Sequence, residues 1–253
     1  MKISRKILIV IAVLLCAALA VTTLTSCKKK DTSEYNKLGF AYLKEGLIDE
    51  AMVEFQKSLK INPKDLEARS NLAACYIQKG QLDKAIDEYQ KCTKIKPEDA
   101  NSYNNLAFAY YSKGDTAKAI ETFQKSLEIN PKFADSYYNI GYIYDKTGKP
   151  DEAIVEYKKG IEANPNDAKI HNRLGLVYYK KGMKDEALIC FKKAIEVNPN
   201  YNMGYYNLAK YYFNNKDYEL AVDAYNKAVE LGCEPKEDFA KAIQPYLEKK
   251  NNT

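Results

Sequence analysis

The hydrophobic and polar positions of this chain follow two interlocked rhythms between residues 32 and 235. The short one is helical: Tyr103, Leu106, Ala107 and Tyr110 recur at i, i+3, i+4 and i+7, one face of a helix with 3.6 residues per turn. Ala119, Phe123 and Ser126 form a matching stripe shortly afterwards, which predicts a second helix. The long rhythm returns this pair every 34 residues. Ala51, Ala85, Ala119, Ala153, Ala187 and Ala221 share one column, and Tyr42, Tyr76, Tyr110, Tyr144, Tyr178 and Tyr212 another. Phe55, Tyr89, Phe123, Tyr157, Phe191 and Tyr225 share a third. Small residues at the eighth and twentieth places let the two helices approach closely. Gly46, Gly80, Gly114, Gly148 and Gly182 stand where the first helix must end, and glycine takes a left-handed turn there at least cost. Pro63, Pro97, Pro131, Pro165 and Pro199 then stop the second helix, and four of the five follow an Asn.

A fixed period of this size signals stacked repeats. The units run 32–65, 66–99, 100–133, 134–167, 168–201 and 202–235. The sixth is the most altered, with Lys216 in the glycine column and Cys233 in place of the closing Pro. Beyond it, Phe239, Ala242, Ile243, Tyr246 and Leu247 mark a rough helical face over 237–249, the expected cover for the apolar end of an array. Pro245 is expected to kink or shorten that helix, and 251–253 to fray.

These columns resemble the tetratricopeptide repeat, over 204 of 253 residues. The resemblance implies an all-α, right-handed α-solenoid of six helix-turn-helix repeats, with a capping helix and tail in 236–253.

The N-terminus has a different composition. Lys2, Arg5 and Lys6 precede an uncharged run from Ile7 to Val21, the layout of a secretory signal. Leu24, Thr25, Ser26 and Cys27 follow and resemble a bacterial lipobox, in which the Cys thiol accepts the lipid after cleavage. That reading makes 1–26 a signal peptide, Cys27 the lipidated residue and 27–31 a tether. The alternative is an uncleaved anchor, since Ile7 to Leu24 is just long enough to span a bilayer. Either one places the folded part outside the cytoplasm, on a cell membrane or outer membrane. The same segment explains the net charge of +5. Without residues 1–26 and Lys28 to Lys30, 33 basic side chains face 34 acidic ones. Nucleic-acid binding thereby loses its main support.

Catalytic chemistry finds little material. There is no Gly-rich phosphate loop, no Ser-His-Asp set and no Cys pair at zinc spacing, so no cofactor or metal is expected. His171, the single imidazole, occupies a fourth-place packing column otherwise held mostly by Tyr. Asp49–Glu50, Asp151–Glu152 and Asp185–Glu186 recur at the start of the second helix, where negative charge meets the positive end of the helix dipole. Cys75, Cys92, Cys190 and Cys233 are expected as buried free thiols. In the register of the repeat, Cys75 and Cys92 lie too far apart along their helices to be bridged.

The resemblance implies a concave groove built from places 2, 5, 6, 9, 12 and 13 of each first helix, binding a protein or peptide without catalysis and with no small-molecule substrate. Those places hold Phe40, Phe108, Tyr111, Tyr138, Tyr142, Tyr179, Tyr206 and Phe213. Amides stand among them at Asn36, Asn71, Asn104, Asn105, Asn139, Asn172 and Asn207. Rings suit apolar side chains, and amides suit an exposed backbone. Asn139, Lys169 and Arg173 also match part of the carboxylate clamp of the chaperone-binding subfamily. Asn104 and Phe108 depart from it, standing where Lys and Asn belong. The expected role is a membrane-tethered scaffold. Pilotins or other secretion and outer-membrane assembly factors are the alternative, as is a regulatory subunit of a separate enzyme such as a cell-wall hydrolase.

Overall fold

The computed structural model describes residues 31–251. The proposed signal, Cys27 and Lys28 to Lys30 lie outside the described residues, as do Asn252 and Thr253. Among the described residues thirteen helices and no strand are found. They pair as α1 (Thr32–Lys44) with α2 (Ile48–Ile61), α3 (Leu66–Gln78) with α4 (Leu82–Ile95), and α5 (Ala100–Ser112) with α6 (Thr116–Ile129). The series continues with α7 (Ala134–Lys146) and α8 (Pro150–Ala163), α9 (Ala168–Lys180) and α10 (Lys184–Val197), then α11 (Asn202–Asn214) and α12 (Tyr218–Glu230). Helix α13 (Glu237–Asn251) stands last. No helix among the described residues is long and apolar enough to cross a membrane.

Local chemistry accounts for each boundary. All five column glycines adopt positive φ, from 70° to 89°, and the turn repeats at Lys216 with φ 68°. A side chain bearing a Cβ is strained there by about 1 kcal/mol. Lys216→Gly is therefore expected to stabilise the protein by about 1 kcal/mol, read as a rise in the denaturant midpoint. The Asn of the Asn-Pro pairs also has a function: the N–H of Lys64, Lys132, Asn166 and Asn200 donates to Oδ1 of the Asn two residues earlier. This closes the turn locally. Asp31, Asp65, Asp99 and Asp167 cap the next first helix by accepting from its backbone N–H groups. The paired acids expected to open second helices do so in α2, α8 and α10. The Asp at that place also bonds across repeats: Asp49 pairs with Lys79, Asp83 with Lys113 and Asp151 with Lys181.

The alanine column is fully buried, and Phe55, Phe123, Tyr157 and Phe191 are at most 1% exposed behind it. His171 is buried, with Nε2 2.8 Å from the Pro165 carbonyl oxygen. The four thiols are buried and unbridged, and burial pushes Cys75 and Cys190 up to about 11. Protonated thiols of this kind are poor nucleophiles at neutral pH.

Helix α13 packs Phe239 on Tyr206, Phe213 and Tyr225, and Tyr246 on Phe213 and Tyr218. Pro245 does not shorten it. That residue is exposed and stands inside the helix. Ala242 is exposed too, leaving Ile243 to fill the contact.

Candidate functional site on the inner face of the first helices

From the second repeat onward, the first helices of successive repeats touch one another, and the second helices make no comparable contact. The first helices therefore line the inside of the curve. On that face a cavity of about 380 Å³ opens across α5, α7 and α9, walled by Phe108, Tyr111, Tyr138, Asn139, Tyr142 and Arg173 above Phe123 and Ile143. Six of these eight are residues that the sequence placed in the groove. Phe108 is 46% exposed, and Tyr111, Tyr138 and Tyr142 are half-buried. Tyr138 and Tyr142 stand one helical turn apart with rings parallel at 6.5 Å, and Tyr111 meets Tyr142 edge-on at 6.1 Å. Neighbouring rings hold these walls in place.

Arg173 joins the walls. Its Nε donates to the Tyr138 hydroxyl at 3.1 Å, and its guanidinium lies 5.0 Å from the Tyr142 ring centre. On the same ring the Lys146 ammonium stands 5.5 Å away. Both are cation–π contacts. Beneath Tyr138 lies Tyr157, fully buried, with a hydroxyl that has no hydrogen-bond partner and a pKa raised by burial. A second cavity, about 120 Å³, lies further along the same face against Leu176, Tyr179, Asn207, Lys210 and Asn214.

Other expected groove residues are differently engaged. Phe40 is exposed, but its ring rests edge-on against Phe55 of its own repeat. Asn71 and Asn105 are half-exposed and border neither cavity, whereas Lys169 is exposed. Asn172 and Tyr206 need correction, because both are buried. Asn172 accepts from Asn207 at 2.8 Å, and Tyr206 lies under Phe239 of α13. Asn139 likewise donates to Asn104 at 3.2 Å. These bonds share one rule: place 5 of a repeat meets place 6 of the next, 35 residues on. Tyr138 with Arg173 obeys it as well. Places 12 and 13 do the same where Lys180 bonds Asp145 at 2.7 Å and Asn214 donates to Tyr179 at 2.8 Å. The amides read as backbone receptors thus mainly tie repeats together, since burying an amide without a partner is costly. Two of the three clamp-like residues, Asn139 and Arg173, are engaged in this ladder. Among the described residues no three His, Cys, Asp or Glu side chains converge as a metal site would need.

Stacked helical pairs with an open inner groove define the class of repeat solenoids that mediate contacts between proteins. This chain belongs to the tetratricopeptide-repeat family: the TPR repeat model matches residues 74–114, 109–148 and 146–182, and tetratricopeptide repeat models match 35–65, 54–87, 168–201 and 190–223. A comparison with curated proteins gives no match. Among solved structures it is similar to MamA, at 31% identity over 64% of this chain and 95% of that one, with a TM-score of 0.53. It is also similar to YrrB, described as a TPR protein with an unusual peptide-binding site, at 25% identity over 76% of this chain and 97% of that one, with a TM-score of 0.51. PilF of Pseudomonas aeruginosa shares the fold at 19% identity, covering 76% of this chain and 88% of that one, with a TM-score of 0.64.

Proposed function

We propose that the protein is a lipid-anchored, extracytoplasmic scaffold that holds an extended segment of another protein in its inner groove and catalyses nothing itself. The observation carrying this reading is the aromatic cavity across α5, α7 and α9, open on the inner face and walled by tyrosines. Rings of this kind are the usual anchors of protein interfaces because they bury large area at little entropic cost. The peptide-binding site named for YrrB supports the same use of the fold. Lipid attachment rests on the run from Ile7 to Val21 and the Leu24-Thr25-Ser26-Cys27 junction. Cys27→Ser is expected to move the protein from the membrane to the soluble fraction, or to leave its precursor unprocessed and unlabelled by radioactive palmitate. Wild-type protein that takes up no palmitate and stays integral after alkaline extraction would mean an uncleaved anchor instead.

A further inference from the structure

We infer that the segment received by the groove is acidic as well as apolar, a protein stretch in which carboxylates alternate with aromatic or aliphatic side chains. This rests on the groove reading above and adds the chemistry of its occupant. Each of these two cavities has a cation in its wall, Arg173 in the larger and Lys210 in the smaller, and neither wall contains an acid. Arg173 is turned onto Tyr138 and Tyr142 and Lys210 lies over the Tyr206 ring, so both are held against aromatic surface and not against carboxylates. Lys146 stands over Tyr142 in the same way. The nearby acid, Asp145, is already neutralised: its side chain is 7% exposed and accepts two bonds from Lys180.

The sequence shows the same segregation over the whole face. Inner-face places carry seven Lys or Arg and three Asp or Glu. The remaining places of the six repeats carry 22 basic and 27 acidic residues. A basic inner surface on repeats that are otherwise in acidic excess favours anionic partners, most strongly at low salt. The rings select among anions. They fit side chains that fill a cavity, and guanidinium and ammonium groups at the rim meet the flanking carboxylates. A single-stranded nucleic acid also combines negative charge with flat groups, but the cavities are separate recesses sized for side chains, not a continuous stacking track.

The test is selection of a displayed library of random dodecapeptides on the full chain in detergent. The expected result is an enrichment of Asp and Glu of at least about threefold over the input, together with Phe, Tyr or Leu. The selected peptides should bind at least tenfold more weakly when every carboxylate is changed to its amide. Lys146→Gln with Lys210→Gln, the two exposed ammonium groups over groove rings, should remove most of that tenfold preference. Selected peptides that are neutral or basic, yet lost on Tyr138→Ala with Tyr142→Ala, would overturn the acidic occupant and leave the groove reading intact. Selection of nothing, or of peptides indifferent to those two tyrosines, would overturn both. Binding of a twelve-residue oligothymidylate more tightly than the best peptide would also overturn the inference, in favour of nucleic acid.

Discussion

Tyr138→Ala combined with Tyr142→Ala is expected to weaken binding of a groove partner by at least about thirtyfold, or about 2 kcal/mol. The two rings form adjacent walls of the larger cavity, parallel at 6.5 Å. Removing them opens the cavity to water and deprives Arg173 of both its hydrogen-bond acceptor and the ring beneath it. An anchor in a desolvated pocket costs far more to remove than a residue at the rim. Both side chains are only half-buried, and Ala is the best helix former, so α7 should persist. Calorimetric titration with the partner or a selected peptide reads the loss, and an unchanged circular dichroism spectrum separates it from unfolding.

The second large effect concerns stability. Gly175→Val is expected to destabilise the protein by about 2–3 kcal/mol. A Cβ at Gly175 would lie 2.8 Å from two ring atoms of Phe191 and 3.1 Å from the Cys190 Cβ, and valine adds two methyl groups to that overlap. The first and second helices of the fifth repeat would have to separate, disturbing the cluster that runs from Ala134 to Ile243. Gly175→Ala should cost less, about 1 kcal/mol, because its single Cβ meets the same Phe191 ring but alanine's helix propensity offsets part of the overlap. Ala73, Ala107 and Ala209 occupy the same place in other repeats, fully buried, in pairs spaced to admit one methyl group. Guanidinium unfolding of the two variants measures the difference, and a valine variant as stable as the parent would contradict this view of the helix contact.

The helices were legible because their cause is periodic. A buried stripe at one place per turn, a glycine at each positive-φ turn and a closing proline return every 34 residues, and each column reports one local requirement. The turn at Lys216 kept the geometry without the glycine, so conformation there is held by the flanking helices and not by local preference. The aromatic part of the site was legible for the same reason, as a second stripe beside the first. What escaped was contact between repeats. Asn172 and Asn207, or Asn104 and Asn139, look like a polar lining when one helix is considered alone. They become partners only when adjacent first helices are set side by side, and the signal that reveals them is a spacing of 35, one more than the repeat. Tyr206 escaped because the residue covering it, Phe239, belongs to the last helix and breaks the repeat pattern.

The central claim is that partners bind on the inner face of the first helices. Its most direct measurement is photo-crosslinking in intact membranes from a benzoylphenylalanine placed at Tyr142, with the same probe at Ile189, an outer-face residue 67% exposed, as the contrast. The account predicts a discrete adduct with a partner protein from position 142 and none from position 189. Adducts from position 189 alone, or none from position 142, would contradict it.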